Sequence, residues 1–429
     1  MAAAEYEDES HDDIFPWVPA PSDGSPWQGP ADLEQHLYEL AVADDPYTYL
    51  RAIAVEGLYR PVPLHAASDG RDHAPDPDAS PLLTVDLPDG RKAAQVYTAG
   101  LLPRPHPAVV YEFVTLGTLA EACPDDVDIL AVNAATPCEQ YFLTTDEERQ
   151  VWADLHERHH RPDGLGDRVE TRRTGAPPPG PLLHGLACGA HLCFANGSPW
   201  NTLDWHGAGH RNEVLRLAES WGVENREQWL ATQERLLTCE VSPWYWDFVL
   251  GARVAVIAEI GPRLDPERWR ECVEVTLRNR VVETGGPGTP HRPGDDPDLD
   301  DFVTAMRGLV GKILRYEARF RADELLPPDG HVRTVAAWDI GRASKMARWG
   351  RGARYASEAE LRAAVERASR AARASYSSWE EFSAGYVLGR CLHFDDESFG
   401  TWYTDVLHAH RALTTDPDSP WLTVPFRAG

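Results

Sequence analysis

Asp339 and Arg342, in the run Trp338-Asp339-Ile340-Gly341-Arg342, have the types and spacing best suited to chemistry. On a helix, residues three apart share a face, so the two can form an ion pair. Trp338 beside them points to a partly buried setting, where stranding one charge destabilises by about 3–5 kcal/mol. A second run, Trp379 to Arg390, carries Phe382, Tyr386 and Gly389 at helical spacing. Gly389 would let another helix approach closely, and Arg390 would then point toward it. From there Arg390 could bridge to Asp339, to a terminal carbonyl or to an anionic ligand. Asp339, Arg342, Arg390, Trp338, Trp379 and Tyr386 are therefore the candidate binding residues or structural clasp. Three readings stand: a polar clasp that fixes helix register, a pocket for an anion or partner, and catalysis by Asp339. No nearby His, Cys or Ser completes a general-base constellation, so no residue is assigned a catalytic role.

Other chemistry is thinner. His156, His159 and His160 form HxxHH; His184, Cys188 and His191 fall at i, i+4 and i+7; His206 and His210 form HxxxH. Zinc needs three or four such groups to converge, and the HExxH spacing is absent. His156 and His160 read as surface and Cys188 as core, so neither a metal nor any other cofactor is implied. GxSxG and the phosphate-binding P-loop are also missing. Arg342, Lys345, Arg348, Arg351 and Arg354 recur every three residues as a basic stripe, interleaved with Trp349 and Tyr355. Such a stripe could bind nucleic acid. The net charge of −27 and the Gly350 and Gly352 breaks argue against that and favour a solvated basic face.

The 429 residues suffice for two or three domains, with 42% hydrophobic and 25% charged residues. Residues 1–80 hold 17 acids and 3 bases, whereas residues 302–390 hold 10 acids and 16 bases. A contact between the acidic end and the basic region is one reading; a solvated tail beside a basic helical face is the other. The chain opens with acidic residues where a secretory signal needs basic ones, and it has no long apolar run for a membrane span. Seven cysteines without a CxxC point to free thiols and a cytoplasmic protein. Arg far outnumbers Lys, which occurs only at 92, 312 and 345, a composition typical of a bacterial genome rich in G and C.

Along the chain, residues 1–30 read as a disordered acidic tail holding Trp17 and Trp27, and 31–160 as an α+β domain. Within it a helix spans Asp32 to about Leu58. Strands follow at Leu82–Asp86, Ala94–Thr98, Ala108–Thr115, Asp128–Asn133 and Gln140–Leu143, then a helix over Asp146–His160. Residues 161–181 form a linker, and 182–429 a helical domain with a flexible loop at 284–298. Caps mark its helices at Asn225, Asp265-Pro266, Ser357 with Glu360, and Ser378 with Glu381. The cluster Pro243-Trp244-Tyr245-Trp246 either joins the core or edges a groove.

Five stretches then carry a resemblance: LACGAHL near Leu186, ESWGVENREQWLATQERLL from Glu219, WDIGRASKMARWG from Trp338, SYSSWEEFSAGYVLGR from Ser375 and DPDSPWLTVPF from Asp416. Residues from about 180 to 429 thereby resemble the bacterial domain-of-unknown-function 1266 family, which implies a mostly helical domain. Many relatives carry an acidic-Gly-His turn where this chain has Thr238-Cys239-Glu240, so no role for that His transfers. AAQVYTAG, VVYEFVTLGTLAEAC and DILAVNAATPCEQYFL, within about 82–150, resemble the SseB-type (enhanced serine sensitivity) N-terminal domain, with Asn133-Ala134 in place of the usual Asn-Pro. Neither family implies a reaction. The expectation is an α+β protein, a small mixed α/β domain followed by a larger all-helical one, acting as a non-catalytic module for a protein partner, without membrane or nucleic acid. The alternative is an enzyme for a small anionic substrate held around Asp339, Arg342 and Arg390.

Overall fold

Proline divides the first helical stretch. Asp45 accepts a hydrogen bond from Thr48 N–H (3.0 Å) and Pro46 opens a new helix, so Asp32–Leu58 is two helices, Asp32–Val42 and Pro46–Glu56. Leu58, the expected helix end, instead begins a strand, β1 (Leu58–Pro63). The computed structural model describes residues 26–67, 82–104, 106–160, 168–203, 207–261, 265–285 and 297–427. Most of the expected acidic tail with Trp17, and parts of the expected linker and of the 284–298 loop, lie outside them.

The fold is α+β, with all strands among the described residues between 58 and 143. β2 (Thr84–Asp86), β3 (Lys92–Val96), β5 (Ile129–Val132) and β6 (Gln140–Leu143) form one sheet in that order. β3 and β5 are parallel, and the outer pairs antiparallel. β4 (Val109–Val114) pairs instead with β1, antiparallel, in a second sheet. β5 is buried on both faces, as a central strand with a parallel neighbour should be: Leu130 and Val132 enter the main core, Ile129 and Ala131 a smaller cluster. Trp152 and Leu155 of helix Asp146–His159 close the main core. At the end of β5, Asn133 adopts a left-handed φ of 53° and its Oδ1 accepts from Thr98 N–H (2.8 Å).

The chain divides into two compact units, neither a continuous stretch. One holds residues 1–183, 196–230 and 346–363; the other holds 184–195, 231–345 and 364–429. The second unit is helical. Trp244–Ile260, Pro266–Gly285 and Pro297–Ala322 pack together, with Trp269 donating to the Val249 carbonyl (2.8 Å). Arg253, which interrupts an apolar run, is buried and meets Glu317 through two hydrogen bonds of 2.8 Å. Trp379–Phe394 packs on Thr401–Thr415, and that helix packs on Ala190–Ala195 and Pro420–Thr423.

Glycine sets how closely these helices meet. A Cβ on Gly389 would collide with the Trp338 side chain, and one on Gly341 with the Tyr386 ring and the Cys188 carbonyl. The Trp338 and Trp379 helices therefore touch nearly backbone to side-chain root. Overpacking such a contact destabilises by about 1–3 kcal/mol. We expect Gly389→Ala to lower unfolding free energy by that amount in urea titration, although alanine is the better helix former. An unchanged midpoint would show that the crossing has slack.

Candidate functional site

Asp339 stands in the first turn of helix Ala336–Gly352 and is completely buried. Its Oδ2 accepts from the Val241 (3.1 Å) and Ser242 (3.0 Å) amides, and its Oδ1 from Ser242 Oγ (2.7 Å) and the Arg342 guanidinium. Four donors saturate the acceptor positions of a carboxylate. The turn that delivers both amides passes through Cys239 in a left-handed conformation, φ 58°. Arg342 also donates from Nε to the Trp338 carbonyl (3.0 Å) and lies 4.3 Å over the Trp338 ring. Burial pulls the Arg342 pKa down and the Asp339 carboxylate opposes it. Burial, with Asp339 and Asp247 nearby, pushes the Cys239 thiol up to about 12, so it stays protonated at neutral pH.

The other candidates lie elsewhere. Arg390 donates to the Trp402 carbonyl (3.4 Å) and sits over the Phe394 and Trp402 rings; no hydrogen bond or ion pair joins it to Asp339. It stands one turn before the end of helix Trp379–Phe394 and is half-buried. Trp379 donates to the Val424 carbonyl (2.8 Å), and Tyr386 stacks on His191 with ring centres 4.2 Å apart. Both are core residues. Trp338 also meets Tyr386 edge to face, at 5.0 Å.

The basic stripe is not a solvated face. Arg342, Lys345 and Arg348 are buried, Arg348 donates to the Pro199 carbonyl (2.7 Å), and Arg354 donates to those of His106 (2.8 Å) and Val109 (2.6 Å). A spacing of three drifts around a helix, and this helix is enclosed along most of its length. No metal site is found either: among the described residues no group of three or more His, Cys, Asp or Glu could hold a metal. The chain turns between Cys188 and Ala190, which parts His184 from His191. His206 lies outside the described residues.

A concave feature occurs at the aromatic cluster. Trp244 is 54% exposed, Tyr245 half-buried and Trp246 buried. Tyr245 and Trp246 line a groove of about 390 Å³ with Met306, Leu309 and Leu392, and Lys312, Asp396 and Glu397 are its polar members. The acidic members come from a turn in which Asp396, Glu397 and Phe399 all have left-handed φ, 47°, 61° and 51°. Each such residue stores of order 1–3 kcal/mol. Asp395 holds the turn by accepting from the Phe399 (3.0 Å) and Gly400 (3.1 Å) amides and from Tyr316 OH (2.9 Å), while Tyr316 OH accepts from the Glu397 amide (2.7 Å).

Residues 216–426 match the family described as "Protein of unknown function (DUF1266)". The match takes in four of the five resembling stretches; LACGAHL precedes it, and residues 82–150 lie outside it. No curated protein and no solved structure matches the chain significantly.

Ser242, Glu317, Asp395 and Tyr316 are not singled out by the sequence, and Arg253 shows there only as a break in an apolar run. Asp395 also has a local signal, a polar run Asp395 to Ser398 directly after a helix. The Asp339 clasp is open to test. Asp339→Asn removes the charge and leaves Arg342 buried without its counter-ion, so unfolding free energy should fall by about 3–5 kcal/mol. Adding Arg342→Met to Asp339→Asn should recover part of the loss, because the buried charge is gone while the asparagine oxygen still accepts from the Val241 and Ser242 amides. Equal stability of Asp339→Asn and the parent in urea would refute the clasp.

Proposed function

We propose that the chain is a non-catalytic protein-interaction module that seats an apolar side chain of its partner in the groove beside Trp244. The observation that carries this reading is the groove itself: aromatic and methionine walls, a polar edge and an exposed tryptophan, the make-up of an interface hot spot. A second exposed aromatic pair, Phe394 and Trp402, stacks at 4.6 Å under Arg390 and adds surface of the same kind. Thiol chemistry has little support, since burial pushes Cys138 up to about 12 and raises Cys188 and Cys391 as well. The free state of all seven cysteines supports a cytoplasmic setting, and the Arg-rich composition a bacterial one. The SseB-type resemblance of residues 82–150 remains part of this proposal on its residues alone.

The rival reading, an enzyme for a small anionic substrate, draws no comparable support. Asp339 has no free acceptor position, and Arg390 has other neighbours. For nucleic acid, burial of most of the basic stripe is the adverse observation.

Gly308 offers a clean test. It lines the groove on an exposed helix face, and a Cβ there meets nothing within 4 Å. A photo-crosslinking residue at Ala305, also lining the groove, should capture a discrete protein in cells, whereas one at exposed Arg370 should not. Gly308→Trp places a large ring at the groove and should abolish that capture without loss of stability, since glycine is the weaker helix former and a Cβ there meets nothing within 4 Å. Capture that survives Gly308→Trp, or that is equal from Arg370, would count against the groove.

A further inference from the structure

Three histidines lie under the segment 416–427 in the helical unit. His184 is fully buried, pairs through Nδ1 with Ser369 Oγ (3.1 Å) and stacks on Trp379. His191 and His410 share one hydroxyl: Ser383 Oγ is 3.0 Å from His191 Nε2 and 2.8 Å from His410 Nδ1. A serine hydroxyl has one proton. It can donate to one imidazole while accepting from the other, so the chain of bonds closes as long as at least one of the two rings is neutral. Protonating both would aim two N–H donors at Ser383 and leave its own proton without an acceptor.

The same rings form the floor on which 416–427 rests. Phe426 meets His184 edge to face at 5.1 Å, and Trp421 meets His191 at 5.1 Å and His410 at 6.3 Å. Trp421 and Phe426 both pack on Trp379, whose indole donates to the Val424 carbonyl (2.8 Å). The backbone amides of Leu422, Thr423 and Val424 bond within the segment itself, to Ser419 and Pro420 carbonyls. Beyond Ser419, whose Oγ donates to the Leu413 carbonyl, ring packing and the Trp379 bond to the Val424 carbonyl hold the segment, with no ladder of backbone bonds to the helices beneath. Such an element can open below the free energy of global unfolding.

We propose that residues 416–427 form a strap released by acid: protonation of His184, His191 and His410 lifts Trp421 and Phe426 away while the helices beneath stay folded. The surrounding charges favour release. Arg373 faces His184, Arg390 and His410 face His191, and Arg411 faces His410; two weaker influences oppose them, Glu380 near His410 and the Phe426 backbone, which favours a protonated His184. Burial is the main influence, holding His184 and His410 down at about 4 and His191 well below its ordinary value. An opened strap returns the rings to water and to the ordinary histidine range near pH 6.5. Above that range both states are neutral and closure is insensitive to pH. Below it the open state binds more protons, and closure weakens steadily toward about pH 4. By about pH 5 each histidine that reaches water raises the opening constant about tenfold or more.

Hydrogen exchange on the full chain at about pH 7.5 and about pH 5, corrected for intrinsic exchange rates, tests the proposal. The amides of Leu422, Thr423 and Val424 should lose at least about a hundredfold in protection at the lower pH. Those of Val387 and Leu388, in the helix beneath, should keep theirs. Unchanged protection at 422–424 would overturn the proposal, as would loss at 422–424 and 387–388 together, which is global acid unfolding. These comparisons need no variant. His410→Asn, which keeps a polar atom at the Nδ1 position, should reduce the pH step about tenfold, and an undiminished step would exclude His410 from the device.

Discussion

A carboxylate can be buried only if the chain itself meets its lone pairs, and the helical unit solves this problem three times in one way. Asp339 takes the amides of Val241 and Ser242 together with Arg342. Glu317 takes the amide of Val332 (2.9 Å) together with Arg253. Asp395 takes the amides of Phe399 and Gly400 together with Tyr316. Each carboxylate stands on a helix or at its end and fastens a neighbouring loop. Helix packing alone would leave those loops free, because an irregular segment has few apolar side chains to bury. The helical unit is therefore pinned at its loops by charge and packed at its helices by glycine and aromatic contacts.

This division of labour bears on function. The polar groups that look most reactive in the chain are those most fully consumed by the fold. Asp339, Arg342 and Ser383 have their bonds inside the protein, and their burial removes them from solvent. What faces water is of another kind: Trp244, Phe394 and Trp402, exposed rings beside a groove or under an arginine. Exposed rings grouped into a patch are the kind of surface that interaction sites use, whereas singly scattered ones are ordinary. The strained turn after Asp395 belongs with this surface, since its left-handed residues hold two acidic side chains at the groove.

Much of the local structure was legible in the residues. Ser357 and Glu360 do form a capping box, with Ser357 N–H donating to the glutamate (2.9 Å) and Glu360 N–H to Ser357 Oγ (3.3 Å). Ser378 caps its helix, although Glu381 reaches back to Ser377. Four expected strands occur in the sheet of β2, β3, β5 and β6. The pairing of β4 with β1 was not legible, because residues 59–63 had been given to no element and Leu58 to the end of a helix. The pairing of Asp339 with Arg342 was legible because it is local, three residues apart on one helix.

By itself, then, the amino-acid sequence determined the α+β character, the helix caps, the close approach of helices at Gly389 and the Asp339–Arg342 pair. These depend on period, capping chemistry and side-chain size, which act over a few residues. The tertiary structure alone decided that Ser242 completes the clasp, that Arg390 turns away from it, that the arginine-rich helix is buried, and that three histidines meet under Trp421 and Phe426. Those outcomes join residues up to some 240 positions apart in the chain (Phe426 on His184, for instance), and no local preference encodes which distant partner will arrive.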